Sequence, residues 1–340
     1  MPDQQLQALL ETAVVFGLPM KRAFRGVMMR EGVLIKGPSG WGEFAPFDDY
    51  TDTAASRWLD CAIESAFGTW PEPKREMVLV NAIIPGVGSA EAAALTRSAV
   101  LDNGCHCIKI KVGGTLADDE ARVAAVRDVL DTALGRGVGS IRIDANAGWS
   151  VAEAVKALRR LGEYGLEYVE QPCADLADVR QVRGQVSVPI ALDEAIRGAV
   201  DPAALDLRGF ADIAIIKVAP LGGVRASLRL VEQLAMPVVI SGSLDSSVGL
   251  AAATALAGAL GTTSACGLGT GTLLAADLVE QPVVPVGGMI KVERVAPELG
   301  ALMRARDHIS CDRAIWWRAR LAAAWYAGSS KRTGPLIGSL

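Results

Sequence analysis

Between Val78 and about Ala276 the chain alternates short apolar runs with longer helical patterns, and this alternation restricts the possible folds more than any other feature. Period-two apolar runs predict strands at 78–84, 107–112, 141–146, 168–171, 190–193, 213–218, 238–241 and 265–268. Helical patterns lie between them at 90–101, 116–134, 151–164, 176–184, 202–207, 223–234 and 248–260, with a short candidate at 275–280. Eight strands joined by seven or eight crossover helices fit a closed (β/α) barrel, an α/β fold. A doubly wound open sheet is the alternative. It needs a glycine fingerprint at the first strand–helix turn, and Pro85-Gly86-Val87-Gly88 is not one.

The flanks differ. Residues 12–36 alternate as an antiparallel hairpin, and Gly37-Pro38-Ser39-Gly40 is a turn before a short strand at 41–46. A helix is predicted over 53–67, with Thr51 or Asp52 as its N-cap. After Val283 the alternation lapses into a strand at 290–292, an amphipathic helix at 313–326 with Trp316, Trp317 and Trp325, and a loose tail from Gly328. The 340-residue length suggests about two domains.

Composition removes several function classes. A net charge of -4 offers no basic face for nucleic acid. No apolar run is long enough to span a membrane. The opening Met1-Pro2-Asp3-Gln4-Gln5 lacks the basic start of a secretory leader, so a cytoplasmic location is expected. Six cysteines without zinc-type spacing read as reduced, mostly buried thiols, Cys105-His106-Cys107 included. With only His106 and His308 available, a histidine-based mechanism has little to work with.

The chemistry gathers at strand ends. On 141–146, Arg142, Asp144 and Asn146 share one face and Ile141 and Ile143 the other. Both faces of a parallel sheet are buried, so these polar groups must satisfy one another or hold a ligand. The other strand ends supply Lys109 and Lys111, Glu170, Asp193, Lys217, then Ser241 and Ser243. Asp144, Glu170 and Asp193 make an oxygen set suited to Mg²⁺. Each carboxylate alone is explained by a salt bridge or a helix cap, but three uncompensated buried acids are costly. Lys111 and Lys217 flank the set. Burial and the neighbouring cations Lys109 and Arg142 favour a base that takes a proton beside a carboxylate, with the metal holding the enediolate. The other reading makes each lysine a salt-bridge partner. Arg142, two residues deeper than Asp144, reads as a fixed counter-charge below the site. Ser241-Gly242-Ser243 offers N–H groups to a substrate carboxylate, or is an ordinary strand exit. Gly267-Leu268-Gly269-Thr270-Gly271 permits close approach to a substrate anion, or is a turn. Trp149 lines the mouth or covers the rim.

Lys109-Ile110-Lys111, Asp144-Ala145-Asn146, Glu170-Gln171-Pro172, Asp193-Glu194 and Lys217 within Ile215-Ile216-Lys217-Val218 resemble, in order and spacing, the motifs of the enolase superfamily in its muconate-lactonizing branch. The resemblance implies a modified TIM barrel at 78–284 and an α+β capping domain formed by 1–77 and a returning segment, 285–340. It implies Mg²⁺ on Asp144, Glu170 and Asp193. Lys111 is then base and acid, Lys217 a cation stabilising the enediolate, and Lys109 a tuner of Lys111. A closer likeness, carried by Leu18-Pro19-Met20, Gly42-Glu43-Phe44-Ala45-Pro46 and Ser241-Gly242-Ser243-Leu244-Asp245-Ser246-Ser247, is to members that form 2-succinylbenzoate in menaquinone biosynthesis.

That likeness implies a hydro-lyase acting on a small dicarboxylate: syn dehydration of 2-succinyl-6-hydroxy-2,4-cyclohexadiene-1-carboxylate. Ser241, Gly242, Ser243, Asn146 and Arg25 are the expected substrate contacts, with a loop at 19–25 carrying Lys21, Arg22 and Arg25 closing over the dianion. In the expected charge balance Lys109, Lys217 and Arg142 offset the carboxylates, metal and substrate while Lys111 stays neutral. An N-succinylamino acid racemase remains open, because lysines on both faces suit two-sided proton transfer. Dipeptide epimerisation is disfavoured, since no Asp-x-Asp follows the eighth strand. A non-catalytic metal-binding barrel is disfavoured because every ligand and base is kept.

Overall fold

Leu6, Leu9 and Leu10 recur at helical spacing, and they turn the first segment into a helix whose apolar stripe packs on the sheet beside it. The structure, a computed structural model, describes residues 2–24 and 26–328. This opening helix, α1 (Pro2–Thr12), lies outside the sequence-based expectations. It is followed by β1 (Val14–Phe24), β2 (Val27–Gly37), β3 (Gly40–Phe44) and α2 (Asp52–Phe67). The three strands form one antiparallel sheet in the order β1-β2-β3. Thr51 caps α2, its hydroxyl accepting from the Ala54 N–H at 3.2 Å. Gly42 lets β3 lie directly on α2, because a Cβ there would fall 1.9 Å from the Ala62 carbonyl oxygen.

The predicted 78–84 strand is two elements, β4 (Met77–Leu79) and β5 (Ala82–Ile84). The break falls where the Val80 N–H turns to Gly288 and the Asn81 N–H to Cys266. Strand and helix then alternate as α3 (Ser89–Leu101), β6 (Cys107–Lys111), α4 (Leu116–Leu134), β7 (Ser140–Asp144), α5 (Val151–Leu161), β8 (Leu166–Glu170), α6 (Leu176–Arg183), β9 (Ile190–Leu192) and α7 (Glu194–Arg197). They continue as β10 (Ile213–Lys217), α8 (Val224–Leu234), β11 (Val238–Ser241) and α9 (Ser247–Leu260). Strands β5 to β11 form one sheet in sequence order, and the pairs with a register are parallel. The predicted 202–207 helix shrinks to a 3-10 turn, Pro202–Ala204, and the helix after β9 is the single turn α7.

The eighth strand is not formed as a strand. Residues 265–268 contribute one bridge on each side, Val80 to Cys266 and Ser241 to Gly267. Even so, they close the sheet. The Cys266 N–H reaches Leu79 O at 2.7 Å, and the Gly267 N–H reaches Ile240 O at 2.7 Å. Glycine makes this approach possible, since a Cβ on Gly267 would lie 2.6 Å from Ser241 Oγ. A 3-10 turn, Gly269–Leu273, follows, and 275–280 is not helical. The chain ends its described part with β12 (Met289–Lys291), antiparallel to β4, then α10 (Leu299–Asp307) and α11 (Cys311–Gly328). Helix α10 packs on β1 and α11 on α2, where Trp317 meets Phe44 edge-on at 6.1 Å. The C-terminal helices thus return to the opening sheet and complete the cap. Among the described residues no helix is long and apolar enough to cross a membrane.

Outward strand residues such as Ile108, Ile110, Ile141, Ile143 and Ile216 pack against the helices. Inside the barrel, Tyr168, Ala191, Ile215 and Val239 form a separate apolar plug. The polar strand ends sit above it. Helix α9 is buried along nearly its whole length against α8, the barrel and the cap, which accounts for its near-continuous Ala, Leu, Val and Gly sequence.

Candidate active site

Strand alternation delivers Asp144, Glu170 and Asp193 to the C-terminal mouth of the barrel, all fully buried. Asp144 pairs with Lys111 in the register on one side and with Glu170 on the other, so these end groups share a layer. Lys109 Nζ lies 2.9 Å from Asp144 Oδ2 and 2.6 Å from Glu170 Oε2. Lys111 Nζ donates to Asp144 Oδ2 and to Asn146 Oδ1, each at 2.6 Å. On the far side Lys217 Nζ donates to Asp193 Oδ2 at 2.7 Å. The two flanking lysines stand where the sequence places them.

The backbone leaves the strands in uncommon conformations here. Asn146, Ala147 and Gln171 take φ of 46°, 63° and 41°. Non-glycine residues at positive φ cost energy and gather at functional sites. Gln171 turns its side chain to the Asp193 and Ala195 N–H groups, both at 3.2 Å, and so fixes the start of α7.

Electrostatics separate the three acids. Burial raises the Asp144 pKa, but the ammonium groups of Lys109 and Lys111 outweigh it and hold Asp144 well below the carboxylate range. Glu170 is pushed up to about 7 by burial and then by the charge of Asp144, with Lys109 only partly compensating. Lys109 is raised, because Asp144 and Glu170 outweigh its burial.

An all-oxygen set on three adjacent strands, with Glu170 destabilised as an anion by its neighbouring acids, fits a hard divalent cation. As placed, the carboxylates bond to the lysines, and among the described residues no three Asp, Glu, His or Cys side chains converge on one point. Asp144, Glu170 and Asp193 are the residues that could hold Mg²⁺.

The pocket above this layer is lined by Lys109, Lys111, Asp144, Lys217, Asn81, Ile83, the 241–244 segment, Gly267, Gly269 and Thr270, and from the cap by Phe24, Phe47 and Tyr50. Several expectations change. Ser241, Gly242 and Ser243 do line the pocket, but two of their N–H groups are engaged. Gly242 N donates to Gly267 O at 3.0 Å and Ser243 N to Asp245 Oδ2 at 2.7 Å. Arg142, expected as a fixed counter-charge below the site, is held there by bonds of its own and does not line the pocket. It forms a two-pronged pair with Glu167, both bonds 2.9 Å, and donates to Asn81 and Ala265.

The expected loop at 19–25 is mostly strand β1. It is anchored by a bridge from Met20 to Leu274 and by the Ala275 N–H on Pro19 O at 2.8 Å. Lys21 is tied to the Thr272 carbonyl and Arg22 to Glu91, both away from the pocket. Arg25 lies outside the described residues. Asn146 bonds Lys111 and Glu194 and is not a pocket wall. Trp149 packs on the outer core of the barrel.

Sequence reasoning missed Arg197, which lines the pocket. Its Nε lies 3.2 Å from Asp193 Oδ1 and its Nη2 2.8 Å from Glu194 Oε1. A signal existed, since Arg197 follows Asp193 by one helical turn. Thr270 belongs to the 267–271 stretch read as approaching a substrate anion or as a turn, but its side chain was not singled out. Its buried Oγ1 lines the pocket with no hydrogen-bond partner among the described residues. The cap wall could not be read from the barrel motifs.

Cap and barrel grip the 241–247 segment together. Arg30 Nε of β2 donates to the Leu244 carbonyl at 3.1 Å, holding a residue whose φ is 61°. Glu43 of β3 accepts from the Ser246 hydroxyl at the start of α9.

Comparison with known proteins bears on this arrangement. Residues 91–307 match the family described as Enolase C-terminal domain-like, and residues 15–66 match Enolase N-terminal domain-like. The chain is 46% identical over 317 residues to an o-succinylbenzoate synthase of Thermobifida fusca (strain YX), covering 92% of this chain and 96% of that one. It is 45% identical over 325 residues to an o-succinylbenzoate synthase of Mycobacterium ulcerans (strain Agy99), covering 94% and 95%. Among solved structures, a muconate lactonizing enzyme from Pseudomonas putida superposes with a TM-score of 0.72 at 20% identity, over 86% of this chain and 98% of that one. An L-Ala-D/L-Glu epimerase from Bacillus subtilis does so with 0.69 at 22% identity, over 84% and 98%. At that identity the two structures speak for the fold alone.

Proposed function

The chain belongs to the enolase superfamily, and from that premise we propose that it is an o-succinylbenzoate synthase, a carbon–oxygen lyase of menaquinone biosynthesis. The observation that carries this reading is identity of 45 to 46% to such synthases along nearly the whole chain. The reaction is the syn dehydration of 2-succinyl-6-hydroxy-2,4-cyclohexadiene-1-carboxylate to 2-succinylbenzoate.

In this mechanism Lys111, in its neutral form, takes the proton from the carbon bearing the carboxylate. The resulting enediolate carries a second negative charge. Lys217, hydrogen-bonded to Asp193, stabilises that charge from the opposite side. Lys111, now an ammonium, returns its proton to the departing hydroxide, so that water leaves and the ring becomes aromatic. One group on one face can do both transfers, which is what a syn course requires. Lys109 bridges Asp144 and Glu170 and fixes the acids around Lys111. Mg²⁺ on Asp144, Glu170 and Asp193 would supply fixed positive charge for the substrate carboxylate.

The cap in this reading comprises residues 1–77 and the returning segment from 285, and the barrel 78–284. The substrate is a small dicarboxylate. We place the reaction in the cytoplasm, in keeping with six unpaired thiols, five of them buried. The lysines on two sides of the carboxylates also suit racemisation of N-succinylamino acids, so both activities belong in one test. Purified protein with and without Mg²⁺ is assayed for loss of the cyclohexadiene chromophore and, in parallel, for racemisation. Mg²⁺-dependent chromophore loss is expected, and its absence removes the synthase assignment.

A further inference from the structure

The single-turn helix α7 joins the barrel mouth to the cap. At its C-terminal end Arg57 of α2 donates to the Arg197 carbonyl at 3.1 Å and to the Ala199 carbonyl at 2.9 Å. Beside it, Arg197 Nη1 donates to the Tyr50 hydroxyl at 2.5 Å. Tyr50 is itself held in the cap, its ring edge-on to Trp58 at 5.8 Å. The other arm of Arg197 reaches inward, from Nη2 to Glu194 Oε1 at 2.8 Å. The same Glu194 oxygen accepts from Asn146 Nδ2 at 3.2 Å, and Asn146 Oδ1 accepts from Lys111 Nζ at 2.6 Å. A continuous run of hydrogen bonds therefore leads from a cap hydroxyl to the side-chain nitrogen of Lys111.

We propose that Arg197 is a positioning residue for proton transfer: seated on Tyr50, it holds Glu194 and Asn146 so that Lys111 points at the substrate only when cap and barrel are docked. The inference rests on Lys111 being the base. Its physical content is orientation. Lysine has four rotatable side-chain bonds, and a bonded neighbour fixed from both ends removes the conformers that turn the amine away from the substrate. Because the chain of bonds starts in the cap, a cap displaced from the barrel leaves Lys111 unaligned, and turnover follows docking.

Tyr50→Phe removes one oxygen and keeps the ring packing, so it tests the contact without threatening the fold. Arg197→Lys keeps a charge near Asp193 but loses the forked reach to Tyr50. Each single change is expected to lower kcat about tenfold with KM within about threefold, and the double variant to be no worse than the worse single one, as for residues acting through one contact. Additive losses, or wild-type kcat in Tyr50→Phe, overturn the inference. Amide hydrogen exchange of the metal-free protein reads the same clasp without turnover. Faster exchange across 194–200 in Tyr50→Phe, with α5 unchanged, supports it, and unchanged exchange at 194–200 overturns it. If the wild type dehydrates nothing, the functional reading fails while the exchange result still decides the clasp.

Discussion

Lys109 donates to both carboxylate oxygens of Glu170, at 2.7 and 2.6 Å. With Asp144 beside it, one ammonium thus serves two buried acids. In the proposed site it stands against a metal for the same oxygens and repels it. Lys109→Met is therefore expected to bind Mg²⁺ about tenfold more tightly, one charge's worth of repulsion at a partly screened distance. Without metal the variant melts lower, because Glu170 then faces Asp144 with no ammonium between them, while Asp144 keeps Lys111. Thermal shift against Mg²⁺ concentration measures both effects. Weaker Mg²⁺ binding in the variant would show that Lys109 supports the metal through geometry and does not compete with it.

Lys111→Ala separates chemistry from assembly. Glu170 is held by Lys109 and Asp193 by Lys217, while Lys111 donates to Asp144 and Asn146. Its loss should lower kcat by at least about 10³-fold, in the range expected for a general base, while Mg²⁺ still raises the melting temperature. Residual turnover within about tenfold of wild type would remove Lys111 as the base.

The carboxylates and lysines were legible because strand periodicity sorts side chains to one face, and the strand order then places the ends around one mouth. Asp144, Glu170, Asp193, Lys111 and Lys217 need no more than that. Arg197 and Tyr50 were not, because a bond across 147 residues of sequence is fixed only by how cap docks on barrel. The partner of Arg142 was hidden for a related reason. Alternation gave its face correctly, but Glu167 lies on the next strand with its own face opposite in sequence terms, and the irregular register between Ile141 and Arg142 brings them together. The eighth strand failed because Gly267 and Gly269 permit a close approach that replaces pairing with single bridges.

Thr270 carries a buried hydroxyl with no partner among the described residues. Such a group costs stability until a ligand satisfies it. Thr270→Val should leave the melting temperature equal to or above wild type and raise KM several-fold, about 1 kcal/mol of lost hydrogen bonding. Steady-state kinetics beside thermal denaturation test the pair of outcomes. An unchanged KM excludes the hydroxyl from substrate binding.

Glu43 gives a pH dependence with a defined sign. Burial, then the charge of Asp245, lifts its pKa from 4.5 to about 7, with Arg30 and Ser246 opposing. The folded protein therefore holds more protons than the unfolded chain between pH 4.5 and about 7, and stability falls as pH rises through that window and levels above it. The effect is at most about 3 kcal/mol, because Asp245 titrates with it. Glu43→Gln keeps an oxygen for the Ser246 hydroxyl and removes the charge. The melting temperature of the variant minus that of wild type should grow from pH 5 to pH 8. The same measurement on metal-free protein must exclude Glu170, which is also lifted to about 7. That contribution is common to both proteins and cancels in the difference. A difference that stays constant across the window would mean that Glu43 is ionised throughout, and that Arg30 outweighs its burial.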